Sequence, residues 1–178
     1  MPKQTAIRIT GLGGQGVILA GKILAKAAIY DGLQAVQTQS YGAEARGSVA
    51  KSEVIVSNQK IVSPMARKND VLVAMNQTAF DENLKDLKED GILIADPDLV
   101  QVPPSLKARI FKVSATKTAE MEHRAKMRAN MVMLGILTKI TSIVTQSSVE
   151  RALQGSFSGE AAEKNIAAFR TGLRLIEN

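Results

Sequence analysis

Alternating apolar and polar residues near the start of the chain predict a β-strand that leads into a glycine-rich turn. Residues 6–10 alternate as a strand does, although so short a run also fits part of a buried strand. Gly11-Leu12-Gly13-Gly14-Gln15-Gly16 follows, and residues 17–29 then place apolar side chains at helical spacing. The glycines therefore lie at a strand-to-helix turn, where backbone N–H groups and the positive end of a helix dipole can face an anion.

The same periodicities predict further strands and helices in alternation. The predicted strands cover residues 34–38, 52–57 (extended back toward 49), 71–75, 91–96 and 109–113, and the predicted helices cover 78–88, 126–145, 147–154 and 159–176. Alternation of this kind favours an α/β fold with a doubly wound, mainly parallel sheet, here followed by a C-terminal helical portion. The length of 178 residues favours one domain over residues 1–178.

The predicted helix over residues 126–145 is apolar on more than one side. Met127, Met131 and Leu134 lie on one face, and Val132 and Ile136 lie on another. A helix that is apolar nearly all round is buried by more than its own sheet. Two interpretations stay open: an interface with another subunit, or a central helix within a small helical portion.

The glycine turn matches the G-x-G-x-x-G spacing of dinucleotide-binding proteins through Gly11, Gly13 and Gly16. Such a site also expects an acidic residue about 20 positions on, at the end of the second strand, to hold a ribose. That strand is instead followed by Gln39-Ser40-Tyr41. The sequence therefore leaves two interpretations, a site for a phosphate-bearing ligand other than NAD or a turn that only packs a helix on the sheet.

The loop after the second strand is the other candidate functional segment. Residues 39–48 are polar, and they hold Tyr41, Glu44 and Arg46 within six positions. Side chains of this kind on a loop favour a functional role, although an ordinary surface connection stays open. If the first two strands are neighbours, this loop and the glycine turn form one mouth at the carboxyl ends of the strands.

Composition excludes several classes of function. The chain has no cysteine and one histidine, His123, so it cannot supply a thiolate, hold an iron–sulfur cluster through cysteine or build a histidine-based zinc site. Aromatic residues make up 3% of the chain and tryptophan is absent, which argues against a base-stacking surface for nucleic acid.

The net charge of +6 is concentrated in the basic stretch 107–128, which indicates a solvated face or a surface for an anionic ligand or acidic partner. With no 18-residue apolar run and no signal peptide, we expect a cytoplasmic protein that binds neither membrane nor nucleic acid.

Four segments together resemble the gamma subunit of the 2-oxoacid:ferredoxin oxidoreductases. They are Gly-Leu-Gly-Gly-Gln-Gly-Val at 11–17, Thr-Gln-Ser-Tyr-Gly-Ala-Glu-Ala-Arg-Gly at 38–47, Glu-Val-Ile-Val-Ser at 53–57 and Ala-Asn-Met-Val-Met-Leu-Gly at 129–135. The Thr-Gln-Ser-Tyr form is most similar to the 2-oxoglutarate type of enzyme. The sequence differs from the family pattern at Ala43, where proline is frequent, and at Ser48, where a second glycine is usual.

The resemblance implies a Rossmann-like fold and a complex that converts a 2-oxoacid and coenzyme A to an acyl-CoA. It favours 2-oxoglutarate as substrate and leaves pyruvate and branched-chain or indolepyruvate-type oxoacids open. It implies that thiamine diphosphate, magnesium and the iron–sulfur clusters are held by alpha, beta and in some complexes delta subunits, and that ferredoxin accepts the electrons. This chain would hold no cofactor alone but would help to dock coenzyme A.

The site residues expected from the motifs and the resemblance are those of the turn and the loop. They are Gly11, Gly13, Gly14, Gln15, Gly16, Tyr41, Glu44 and Arg46, and neither a catalytic residue nor a metal ligand is expected. The isolated chain should then be inactive and could form a homodimer. The alternative is a stand-alone nucleotide-binding regulatory module.

Overall fold

The computed structural model describes residues 4–42 and 47–176, and over these residues it shows an α/β fold. The strands are β1 (Gln4–Leu12), β2 (Gln34–Tyr41), β3 (Val49–Ser57), β4 (Asn69–Ala74), β5 (Leu87–Ala95) and β6 (Arg109–Lys112). The helices are α1 (Val17–Tyr30), α2 (Gln77–Asn83), α3 (Ala115–His123), α4 (Ala129–Thr141), α5 (Gln146–Gln154) and α6 (Gly159–Arg174), with short 3₁₀ turns at Leu84–Asp86 and Lys126–Arg128.

Within these residues the strands form one sheet in the order β2-β3-β1-β4-β5-β6. Strands β1, β4, β5 and β6 pair in parallel, whereas β3 is antiparallel to both β2 and β1. The premise that β1 and β2 are neighbours is therefore wrong. Strand β3 folds back on β2 after a short connection and separates it from β1. Because β3 reverses direction against both, β2 still runs the same way as β1, and the carboxyl ends of these two strands lie at the same edge of the sheet.

Helices cover both faces of the sheet, which confirms the doubly wound arrangement. Successive residues of β4 point to opposite faces: Val71 and Val73 join the larger apolar cluster with α1 and α3 to α6, and Leu72 joins a smaller cluster with Phe80 of α2. The core is thus divided by the sheet into a thick layer and a thin one.

Helix α4 is the central helix of the thick layer. Each residue from Ala129 to Thr138 is buried by other parts of this chain, with α6 as its main neighbour. Of the two interpretations from the sequence, the one that places this helix inside the helical portion is confirmed. The predicted bounds were too wide, and Met127 lies outside the helix with 74% of its surface exposed.

The predicted helix over residues 78–88 ends early. Asn76 caps α2 by accepting a hydrogen bond from the Ala79 N–H at 3.2 Å, as an N-cap residue should, but the helix stops at Asn83. Leu87 already belongs to β5, where it pairs with Asn69 of β4 and is buried in the smaller apolar cluster. Its spacing from Phe80 and Leu84 fits a helix, but its burial is that of a strand residue.

Helix α5 starts at Gln146, one residue before the predicted start, and its cap lies just ahead of it. Thr145 is the N-cap residue, and its hydroxyl accepts a hydrogen bond from the Ser148 N–H at 3.2 Å. The Asp31 carboxylate holds this cap by accepting from the Thr145 N–H at 2.6 Å and from the Ser148 hydroxyl at 2.5 Å. Partial burial raises the pKa of Asp31, but the hydrogen bonds from Ser148 and Thr145 outweigh it and hold that pKa below its ordinary value.

Candidate functional site

The glycine turn joins the carboxyl end of β1 to the N-terminus of α1. The Gln15 N–H donates to the Leu12 carbonyl at 3.0 Å and closes the turn, while the Gly13 N–H donates to the Ser48 carbonyl at 2.9 Å. Gly14 and Gly16 have φ values of +100° and +72°, a conformation that side-chain-bearing residues rarely adopt. The turn is therefore shaped by its glycines and is tied to the segment that enters β3.

The Gln15 side chain holds the turn in place from inside. Its carbonyl oxygen accepts from the Leu12 N–H at 2.7 Å, and its amide N–H donates to the Met75 carbonyl at 2.8 Å. Since Met75 follows β4, this amide connects the ends of two neighbouring parallel strands. Because both polar groups of the Gln15 side chain already bond to the backbone, Gln15 would shape the turn that a ligand meets without binding the ligand itself.

Gly11 and Gly16 provide space for other protein groups. A Cβ on Gly11 would lie 2.5 Å from the Gln15 side-chain oxygen, and one on Gly16 would lie 2.3 Å from the Asn130 side-chain nitrogen. That nitrogen donates to the Gly16 carbonyl at 3.1 Å and so joins α4 to the turn. By contrast, a Cβ on Gly14 would meet nothing within 4 Å, so the space around this glycine is open.

The N-terminus of α1 offers hydrogen-bond donors at the same place. Within the described residues no side chain caps this helix, and its first backbone hydrogen bond is from Ala20 to Gly16. The N–H groups of the first turn are the ones that a helix leaves for water, side chains or ligands. Together with the helix dipole they favour an anion.

These donors open onto a shallow depression of about 450 Å³. Gly13 and Gly14 form one side, Lys22 of α1 supplies a positive charge, and Gln39 and Tyr41 of β2 form the other side. Its remaining described lining residues are Leu12, Gly16, Val17, Ile18, Leu19 and Ala50, so none of those described is acidic. The arrangement suits a ligand that combines an anionic group with apolar parts.

Tyr41 belongs to this depression, as predicted for a mouth shared by the turn and the loop. It is the last residue of β2, with 58% of its surface exposed. Glu44 and Arg46, the other two predicted residues of the loop, lie outside the described residues. Gln39 and Tyr41 line the same depression as the glycine turn although β1 and β2 are not neighbours, because the carboxyl ends of these two strands lie at one edge of the sheet.

A buried ionic network lies on the other face of the sheet, the face that α2 covers. Arg8 of β1 is 3% exposed and donates to Glu53 of β3 at 2.9 Å, to Asn83 at 3.0 Å and to Asp86 at 2.6 Å. The hydrogen bond from Arg8 is the main cause of the lowered pKa of Asp86, and the Arg8 charge adds to it. These contacts fix the end of α2 against β1 and β3, and so form the wall of a second depression that Tyr41 also lines.

Sequence reasoning missed Lys22, Gln39 and Asn130. Lys22 and Gln39 line the depression, and Asn130 holds the carbonyl of Gly16. A detectable signal existed for Lys22, since it is a basic residue less than two helical turns after Gly16 on a mainly apolar helix whose other charged residue is Lys26. No local signal could identify Asn130, because its contact spans 114 positions of sequence.

Across residues 4–42 and 47–176, no group of three or more histidine, aspartate or glutamate side chains could hold a metal ion. Among the same residues, none of the helices combines the length and the apolar character needed to cross a bilayer.

Fold and site together define a Rossmann-like α/β protein with an anion-receptive strand-to-helix turn. The inserted antiparallel strand β3 and the absence of an acid at the end of β2 separate it from NAD-binding domains with the usual ribose contact.

The chain belongs to the pyruvate ferredoxin/flavodoxin oxidoreductase family, whose family model matches residues 6–175. The prediction of a gamma-type subunit of the 2-oxoacid:ferredoxin oxidoreductases is thereby confirmed, and with it the assignment to an oxidoreductase.

Similar proteins agree with this assignment. The 2-oxoglutarate synthase subunit KorC of Methanocaldococcus jannaschii is 46% identical over 172 residues, which is 95% of this chain and 92% of that protein. The gamma subunit of a keto/oxoacid ferredoxin oxidoreductase from Geobacter sulfurreducens has a similar structure, with a TM-score of 0.84, 41% identity and 96% of each chain covered.

A larger solved structure contains the same fold as one part. It is the 2-oxoglutarate:ferredoxin oxidoreductase of Magnetococcus marinus with 2-oxoglutarate, coenzyme A and succinyl-CoA bound, at a TM-score of 0.89 and 26% identity. The match covers 98% of this chain but 31% of that one, so the unit described here corresponds to about a third of the longer protein.

Proposed function

We propose that this chain is the gamma subunit of a complex that oxidatively decarboxylates 2-oxoglutarate with coenzyme A to succinyl-CoA, and that its glycine turn docks coenzyme A. The observation that carries the proposal is the opening of the α1 N-terminus and Gly14 onto the depression beside Lys22. Coenzyme A is a phosphate-bearing ligand with a long pantetheine arm. It therefore needs both the anion-receptive and the apolar parts of this surface.

The printed names of similar proteins support the choice of substrate. KorC relatives are named as subunits of 2-oxoglutarate synthase, and the Magnetococcus enzyme was solved with 2-oxoglutarate, coenzyme A and succinyl-CoA. Pyruvate and branched-chain oxoacids remain alternatives for this chain. The residues that distinguish the oxoacids would lie on the subunits that bind them.

In this proposal the hard chemistry lies on partner subunits. Thiamine diphosphate, bound there with magnesium, supplies the carbanion chemistry of decarboxylation, and iron–sulfur clusters pass electrons to ferredoxin. What this chain contributes is binding and orientation. Gln15 fixes the turn, the first-turn N–H groups and Lys22 attract a phosphate, and Tyr41 bounds the other side.

Reconstitution tests the proposed role as a subunit. Because this chain has no cysteine to hold an iron–sulfur cluster, and because the proposal places thiamine diphosphate on partner subunits, we expect no oxoacid oxidation by it alone and full activity when alpha and beta partners are present. The measurement is 2-oxoglutarate- and coenzyme A-dependent reduction of ferredoxin, with pyruvate as the parallel substrate. A chain that neither binds the larger subunits nor affects their turnover would instead support the stand-alone regulatory module.

Gly14→Val tests the docking of coenzyme A. We expect kcat/KM for coenzyme A to fall about tenfold or more, since a branched side chain would occupy the open space before the N–H groups and remove a charge-assisted hydrogen bond. The KM for 2-oxoglutarate should change little. Both constants are measured with the assembled complex.

Gly32→Val is the matched control. Gly32 also has a positive φ, +77°, and open space around it, but it lies at the far end of α1. Both variants should lose a similar stability, about 1–2 kcal/mol, from the strained backbone. If the two variants show the same coenzyme A kinetics, the glycine turn serves packing only, while the subunit assignment stands.

A further inference from the structure

The two edges of the sheet differ in a way that the proposed docking of coenzyme A does not explain. At one edge, β6 is four residues long and carries exposed Arg109 and Lys112. Short length and charge are the usual protections of an edge strand against pairing with another chain. At the other edge, β2 is eight residues long and its sequence, Gln-Ala-Val-Gln-Thr-Gln-Ser-Tyr, has no charge and no proline.

Strand β2 is also regular and firmly held. Its register with β3 is uninterrupted from Gln34 to Tyr41, without a bulge. The Gln37 side chain donates to the Ile18 carbonyl at 3.0 Å and to the Ser52 hydroxyl at 2.8 Å, which fixes the strand against α1 and β3. The outer edge is thus a regular template of eight residues.

The hydrogen-bond pattern shows which groups face outward. The Gly42 N–H donates to the Val49 carbonyl at 2.9 Å, so this pair is a hydrogen-bonded pair of the β2–β3 ladder. Alternation along an antiparallel ladder then directs the N–H and C=O groups of residues 35, 37, 39 and 41 away from β3. Among the described residues no strand pairs with these groups.

We propose that the outer edge of β2 binds a β-strand of a larger subunit of the same complex, which extends this sheet by one strand. Backbone hydrogen bonds to residues 35, 37, 39 and 41 would supply the affinity, and the uncharged strand requires no particular charge on its partner. The inference rests on the proposed assembly with larger subunits. It does not depend on coenzyme A docking.

Continuity with the candidate site favours a partner subunit over a second copy. Strand β2 ends at Tyr41, and Tyr41 lines the same depression as the glycine turn. A partner strand on this edge would therefore carry a segment of the larger subunit to that depression. A second copy paired antiparallel would place its own Tyr41 at the opposite end of the strand, away from this site. The Magnetococcus chain, in which this unit is about a third of the whole, shows a relative in which the unit is continuous with further protein.

Ala35→Pro tests the inference because it removes an outward N–H without removing a bond of the β2–β3 ladder. In co-expression with the larger subunits, we expect about tenfold or greater loss of the assembled complex by quantitative size-exclusion chromatography. The matched control is Lys112→Pro on β6. The Val113 N–H bonds to β5, so the Lys112 N–H faces outward there, and we expect assembly at the wild-type level.

Amide hydrogen exchange on the wild-type protein gives a second readout that needs no variant. The outward N–H groups of residues 35, 37, 39 and 41 should become protected on assembly and should exchange rapidly in the isolated chain. Protection in the isolated chain together with a dimer would overturn the partner subunit in favour of a second copy. Absence of protection in the complex, or normal assembly of a folded Ala35→Pro chain, would overturn edge pairing. Failure of the wild-type chain to assemble would contradict the proposed function itself.

Discussion

Gly172→Ala is expected to destabilise the chain by about 3 kcal/mol or more, because it adds a methyl group where two helices meet backbone to backbone. A Cβ on Gly172 would lie 2.0 Å from the Val132 carbonyl oxygen of α4, and one on Gly135 would lie 2.1 Å from the Phe169 carbonyl oxygen of α6. Backbone atoms cannot rotate away as a flexible side chain does. The two central helices would have to separate, and the buried cluster around Phe169 would open.

Thermal and urea unfolding of the isolated chain measure this effect. A loss of 3 kcal/mol corresponds to a fall in Tm of roughly 6–12 °C for a protein of this size. The control is Gly155→Ala, which has an ordinary φ of −79° and nearest atoms at 3.5 Å, and which should be neutral or slightly stabilising. Equal stability of the two variants would show that α4 and α6 do not pack as described.

Local patterns in the sequence predict the elements of this fold whose apolar residues recur at a regular spacing. The glycine turn, the helix after it and the buried strand β4 follow from apolar spacing and from glycine at a strand-to-helix junction. The position of β3 between β2 and β1 could not be predicted in this way, because strand order depends on pairing between distant segments. The predicted start of β5 was wrong for a related reason. Leu87 has the spacing of a helix residue, but it pairs with Asn69 of β4 and therefore belongs to the strand.

The candidate site shows the same division. Tyr41 and Gly14 were predicted from motif and loop position, and the structure places them at one depression. The roles of Gly11 and Gly16 in making space for Gln15 and Asn130 depend on tertiary contacts that no spacing reveals. The close crossing of α4 and α6 at Gly135 and Gly172 was missed as well. A glycine inside a predicted helix was the available signal, because it costs helix stability unless another element approaches closely.

Arg46→Lys is expected to lower kcat/KM of the assembled complex more than tenfold. A guanidinium can hold a phosphate or a carboxylate with two parallel N–H bonds, a geometry that the lysine ammonium cannot copy. The loss of such a contact is on the order of 1.5–3 kcal/mol, the scale of a charge-assisted hydrogen bond. An exposed arginine without a partner would lose almost nothing, within about 0.5 kcal/mol.

The structure supports this prediction through the residues on either side of Arg46, which itself lies outside the described residues. Tyr41 lines the depression, and the carbonyl of Ser48 accepts the hydrogen bond from Gly13 of the turn. The described residues on both sides of this connection, Tyr41 and Ser48, therefore lie beside the candidate site. If the proposed docking of coenzyme A is right, an arginine in this connection is a candidate partner for one of its phosphates.

The kinetic pattern of Arg46→Lys also identifies what Arg46 contacts. Loss of kcat/KM confined to coenzyme A assigns a phosphate, whereas dissociation of the complex on size-exclusion chromatography assigns an acidic or backbone group of a partner subunit. Lys60→Arg, a swap of the same two residue types in the reverse direction at the exposed turn after β3, is the control and should change neither quantity. If Arg46→Lys keeps wild-type kinetics for both substrates and assembles normally, Arg46 is a solvated surface charge and does not belong to the site.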